Sequence, residues 1–220
     1  MVKKLVVALF VIFAVTSSNA YAISDLSGYF TSDNWYDFYV STDDTQLGSL
    51  FGSSDGSNVE PWDWETPENL SLWNITLTPG VTNYIHVVGK DDGKTIAGVL
   101  GDITLNNPNF KFSNGTSSLL TNTVDWKVYD YYGGNLLGIV NAGGYANGEG
   151  PWEAHLGGPI ANISTDARWL WTNGDTNLDL GQTRYFSAAI NAVPEPISTA
   201  LFVLGGATLA VRRIRKAKKS

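Results

Sequence analysis

The run Thr82-Asn83-Tyr84-Ile85-His86-Val87-Val88-Gly89-Lys90 is followed by the polar cluster Asp91-Asp92-Gly93 and then by Ile96-Ala97-Gly98-Val99-Leu100-Gly101-Asp102-Ile103-Thr104-Leu105. Two short stretches rich in β-branched and aromatic residues, bounded by turn residues, predict a pair of strands, Asn83 to Val88 and Ile96 to Leu105. The pattern extends both ways. Strands are expected at Trp35 to Val40, Ser71 to Thr78, Trp126 to Tyr129, Arg168 to Trp171 and Arg184 to Ile190. Turn chemistry separates them at Pro79-Gly80, Asn106-Asn107-Pro108, Gly133-Gly134-Asn135 and Asn173-Gly174-Asp175. No stretch longer than a turn or two carries apolar residues at helical spacing. Such strands close most simply into two packed antiparallel sheets, so the expected class is all-β.

The two ends of the chain read differently. Lys3 and Lys4 precede eleven unbroken apolar residues, Leu5 to Val15, and a small and polar run that ends in Ala20-Tyr21-Ala22. That is the layout of a cleaved signal peptide over residues 1–22, too short to span a bilayer as a helix, which takes about 20 apolar residues. The other end runs from Val193-Pro194-Glu195-Pro196 through fifteen uncharged residues, Ile197 to Val211, into a basic tail that includes Arg212, Arg213, Arg215 and Lys216. The prolines halt any strand, the apolar segment is a short transmembrane helix, and the basic tail stays in the cytoplasm. The expected topology is an exported body, residues 23–192, with transient inner-membrane anchoring.

The tripeptide Pro194-Glu195-Pro196, the short apolar helix and the arginine-rich end together resemble the PEP-CTERM sorting signal, over residues 193–220. The resemblance implies recognition by an exosortase-like membrane protease, removal of the tail, and delivery to the cell surface or extracellular matrix alongside bacterial exopolysaccharide.

The body carries twenty acidic residues against six basic ones, a net charge of −14. Nucleic acid is therefore not expected as a partner, because this charge repels phosphate backbones. The chain has no cysteine, which excludes disulfides, thiolate nucleophiles and iron–sulfur clusters. All eight tryptophans lie in the body and supply its core.

Across the body the order of motifs resembles the galactose-binding-like jelly-roll sandwich. The stretches that carry it are Asp33 to Val40, Trp64 with Thr66-Pro67, Thr82 to Val88 with Ala97 to Leu100, Asp125 to Val128, and Ala167-Arg168-Trp169-Leu170-Trp171 with Tyr185-Phe186. The resemblance implies a jelly roll of two sheets and a protein that often accompanies glycoside hydrolases. It does not carry function over, since such sandwiches serve many roles.

Candidate chemistry is sparse. His86 and His155 are the two histidines; His86 falls within an apolar strand, as a sheet-face residue would, and His155 follows Trp152 in a Gly-rich stretch. Carboxylate pairs such as Glu65 with Glu68, or Asp91 with Asp92, are uninformative in so acidic a body, and no enzyme is expected. Asp175, Asn177 and Asp179 alternate as in a calcium loop, which keeps a structural calcium as an expectation. Gly181 comes one place late and Phe186 stands where an EF-hand has its bidentate glutamate, so a hairpin turn is the better reading of this stretch. Glycan binding has more support, because pyranose C–H faces stack on aromatic rings while hydroxyls pair with Asp, Asn and Glu. Trp62 and Tyr145 are the expected platforms, with Trp152 and His155 beside them; the alternative is a structural or adhesive matrix protein that recognises no sugar.

Overall fold

The computed structural model describes residues 24–54, 63–93, 97–172 and 181–194. In chain order the strands are β1 (Leu26–Asp33), β2 (Trp35–Ser41), β3 (Ser49–Ser54), β4 (Glu68–Asn69), β5 (Asn83–Lys90), β6 (Gly98–Leu105), β7 (Phe110–Phe112), β8 (Ser118–Leu120), β9 (Lys127–Tyr129), β10 (Leu136–Leu137), β11 (Ile139–Ala146), β12 (Arg168–Thr172) and β13 (Thr183–Ala192). The described residues also form one α-helix, α1 (Gly150–Leu156), and two 3-10 turns, Asp63–Glu65 and Leu70–Trp73. The strands pair antiparallel in two sheets, β11-β12-β6-β1-β4 with β8 on β6, and β10-β9-β13-β5-β2-β3 with β7 on β13. The all-β class and the two antiparallel sheets are as the sequence predicts.

Alternation builds the second sheet. In β2, Tyr36, Phe38 and Val40 are buried while Trp35, Asp37, Tyr39 and Ser41 face outward, the period of two that strand geometry imposes. Across the β5–β13 pair Val87 stands opposite Phe186 and Ile85 opposite Ala188, all buried. The first sheet solves its packing differently. Phe30 of β1 is opposite Gly101 of β6, where a Cβ would collide with the Phe30 ring, and Trp169 of β12 lies over Gly98 in the same way. These glycines lower strand propensity but let large rings lie flat on the backbone. Side chains from both sheets join one cluster that includes Phe30, Phe38, Trp126, Trp169 and Phe186. Each such side chain contributes about 1.5–3 kcal/mol on burial.

The expected strand Ser71 to Thr78 is corrected. Its first residues form the 3-10 turn Leu70–Trp73, where the Ser71 amide donates to Asn69 Oδ1 at 3.0 Å, and Asn74 then takes a left-handed conformation with φ of 51°. Ile75 and Leu77 are buried, so the alternation is real. Their amides, however, donate to side chains, Ser24 Oγ at 3.0 Å and Asp25 Oδ2 at 2.7 Å, rather than to a strand ladder. The stretch Asn141 to Gly158, assigned no element from sequence, holds the end of β11 and then α1, with a proline at the start of the helix and left-handed Gly157 closing it.

Candidate functional site

β1 and β2 are consecutive but belong to opposite sheets, and the chain turns between them at Asp33 and Asn34. Each has an edge strand as its outer neighbour, β4 beside β1 and β3 beside β2. Where the two edges part lies a cleft of about 170 Å³, lined by Ser32, Asn34, Trp35, Ser53, Ser54, Thr66 and Glu68, with Phe30, Thr31 and Tyr36 reaching it from the core. Next to it, Trp73 seals the edge by lying against Gly52, with ring centroids 5.5 Å from Phe38 and 6.4 Å from Tyr36.

Most hydroxyls around the cleft are committed to the protein. Thr31 Oγ1 donates to the Trp64 carbonyl at 2.9 Å, Tyr36 OH to the Phe30 carbonyl at 3.1 Å and Ser53 Oγ to Asp37 Oδ1 at 2.6 Å; Ser54 Oγ accepts from the Tyr36 amide at 2.9 Å. Ser32 departs from this. Its residue is 2% exposed and its Oγ has no hydrogen-bond partner. Such a group costs about 1–3 kcal/mol. Glu68 is exposed and Trp35 half-buried, and the Trp35 ring packs on no other aromatic ring among the described residues. The Tyr36 phenol is held well above its ordinary pKa, first by burial and then by the charge of Glu68.

Behind the corner, the Trp152 indole Nε1 donates to Asp33 Oδ2 at 3.0 Å. Burial pushes the Asp33 carboxyl up to about 7; the Trp152 hydrogen bond opposes this, and the charges of Asp91 and Asp92 add to it. Asp91 Oδ2 accepts from the amides of Gly93 and Gly181, and Asn34 Oδ1 from the Asp92 amide at 2.9 Å, which ties these loops to one another and to the corner.

The structure brings two of the expected glycan residues together, though not as a platform. Tyr145 is half-buried and meets Trp152 edge-on, at 6.2 Å and 80°. Trp152 is corrected: it is 2% exposed and stacks on Trp169 at 4.0 Å and 9°, so its face holds α1 on the core. His155 lies in α1 rather than in a loop. Trp62 is outside the described residues, as are Asp175, Asn177 and Asp179, Glu195 and Pro196, and the basic tail with Arg212, Arg213, Arg215 and Lys216; Pro194 is exposed beyond the end of β13. Among the described residues no group of His, Cys, Asp and Glu is arranged to hold a metal ion, and no helix is long and apolar enough to cross a membrane.

His86 lies on the outer face of the second sheet beneath two loops. Its Nε2 is 3.4 Å from the Asp43 carbonyl, its ring stacks on Tyr84 and meets the edge of Tyr132 at 4.9 Å, and burial, partly offset by Asp43 and Asp44, lowers its pKa to about 4. Asp44 bridges Ser187 Oγ and Lys127 Nζ over the same strands. His86 has no exposed surface.

No protein family, curated protein or solved structure matches this chain.

The sequence shows no such cleft, because its walls are set by how β1 to β4 and the residues just before β4 meet at the two sheet edges, not by any local pattern. An aromatic residue in a polar loop is the sequence mark of a sugar platform, whereas Trp35 opens a strand.

Proposed function

We propose that the chain is an exported, non-catalytic glycan-binding protein of the jelly-roll, galactose-binding-like type, sorted by an exosortase-like system and associated with exopolysaccharide at the cell surface. The observation that supports this most is the edge cleft: a half-buried tryptophan with no aromatic neighbour among the described residues, an amide, a carboxylate and an unpaired buried hydroxyl surround a space of about 170 Å³. An aromatic ring with a few fixed polar groups is the composition that sugar sites use. Glu68 is the sole carboxylate among the described residues lining the cleft, whereas glycoside hydrolysis ordinarily employs a pair, which favours binding over turnover. The signal-like start and the Pro-Glu-Pro tail support export and sorting.

Affinity electrophoresis in gels containing the producer's own exopolysaccharide is the test. Wild type is expected to be retarded, and Trp35→Ala to lose at least about tenfold in affinity, in keeping with about 1.4 kcal/mol or more for a lost stacking surface. Unretarded wild type, or equal retardation of the variant, removes the cleft as the glycan site. Sorting is checked by mass spectrometry of the surface-associated protein: a start near Ile23 and an end near Pro194 to Pro196 are expected, and an intact Ser220 contradicts it.

A further inference from the structure

Granting that the cleft binds glycan, its shape and charge narrow the ligand. We infer that it takes a single uncharged pyranose ring, and that it rejects uronate- or phosphate-bearing sugars. A cavity of about 150 Å³ holds one benzene-sized ring, and this one, at about 170 Å³, has room for one sugar ring. Its inner side is closed by Phe30 and Tyr36, at 0% and 1% exposure, so a ring is held from the outer side alone.

Among the described residues the lining has no lysine or arginine to pair with an acidic sugar. Its charged member is the Glu68 carboxylate, on a body of net charge −14. Like charges brought together at a binding surface lower affinity steeply. A neutral ring escapes that penalty and still meets Asn34 and the Ser32 hydroxyl. Ser32 is the specificity element among the buried groups: Thr31, Tyr36 and Ser53 donate to Trp64, Phe30 and Asp37, and Ser54 accepts from the Tyr36 amide, while the buried Ser32 Oγ has no partner. A sugar hydroxyl within reach of it removes the cost of an unmet buried group.

The test uses the full-length protein and calorimetric titration with methyl glycosides of glucose, galactose, mannose and N-acetylglucosamine, and with the methyl uronides of glucose and galactose. At least one neutral glycoside is expected to bind, and its uronide to bind at least about tenfold more weakly. In Glu68→Gln that gap is expected to shrink to about threefold or less, and in Ser32→Ala the neutral sugar to lose about three- to tenfold. Circular dichroism confirms that both variants are folded; should Ser32→Ala not fold, Glu68→Gln, altered at an exposed position, carries the test. A uronide that binds as well as its neutral partner, or a gap unchanged in Glu68→Gln, overturns the charge selection. Polysaccharide binding that no monosaccharide competes for overturns the single-ring inference and leaves glycan binding standing. Absence of binding to both polysaccharide and monosaccharides overturns the glycan reading itself.

Discussion

Replacing Trp169 by alanine is expected to lower the unfolding free energy by about 3–5 kcal/mol, the largest loss for any single tryptophan discussed here. Trp169 has no exposed surface, covers Gly98, stacks face to face on Trp152 at 4.0 Å and meets Trp64 edge-on at 6.4 Å. Its removal leaves a cavity bordered by three elements at once: β6, the 3-10 turn that holds Trp64, and α1. Packing of aromatic pairs adds about 0.5–1.5 kcal/mol beyond burial, so the lost stack compounds the cavity. Because single domains are stable by only about 5–15 kcal/mol, a third or more of the total is at stake. Guanidinium denaturation followed by circular dichroism measures it, with Trp35→Ala as the comparison. Half-buried Trp35 is expected to cost about 1 kcal/mol or less, and a Trp169→Ala loss as small as that would contradict the packing described.

The second large effect is a pH dependence centred on Asp33. Burial raises its carboxyl pKa from 3.8 to about 7, so the folded protein keeps a proton that the unfolded chain releases. Between about pH 4 and pH 7 the folded state binds more protons, and stability from this group, fully present below the unfolded value, is lost as pH rises through the folded one. At about 1.4 kcal/mol per unit of pKa, the difference amounts to a few kcal/mol. Asn in place of Asp33 retains an oxygen to accept from Trp152 Nε1 and carries no charge for burial, Asp91 and Asp92 to oppose. Asp33→Asn is therefore expected to exceed wild type by at least about 2 kcal/mol at pH 8 and to approach it near pH 4. His86 runs the other way, since its lowered pKa gives stability present above 6.5 that is lost as pH falls toward about 4. It is common to both proteins and cancels in the comparison. Urea denaturation at several pH values decides, and a wild-type-to-variant difference that stays constant from pH 4 to pH 8 would refute this account of Asp33.

The parts of the fold legible in the sequence are those where burial follows the strand period. β2, β5, β6, β12 and β13 were expected within a few residues of where they lie, because one or both of their faces meet the core and their side chains record it. β1 is not legible, since the burial of Leu26-Ser27-Gly28-Tyr29-Phe30-Thr31-Ser32-Asp33 does not alternate: Phe30, Thr31, Ser32 and Asp33 are buried in succession. β3 and β11 are rich in serine or glycine, and their partners rather than their propensities make them strands. Ser71 to Thr78 shows the converse failure, where true alternation at Ile75 and Leu77 is served by side-chain hydrogen bonds. Trp152 was read as a loop residue because of the glycines around it. The proline at the start of α1 and Gly157 at its end were the available signs of a helix, and the helix carries the indole into the core. Contacts across an edge, which create the cleft, leave no periodic trace at all.

Isotope-labelled full-length protein titrated with a neutral methyl glycoside that binds, or with a short neutral oligosaccharide, locates the site by nuclear magnetic resonance. Shifts are expected at the Trp35 indole Nε1–H and at the amides of Ser32, Asn34, Ser53 and Glu68, with the Tyr145 and α1 signals unmoved. Saturable shifts confined to Tyr145 and α1, or binding without any change at Trp35 and Ser32, would contradict the edge cleft as the place where this protein meets its glycan.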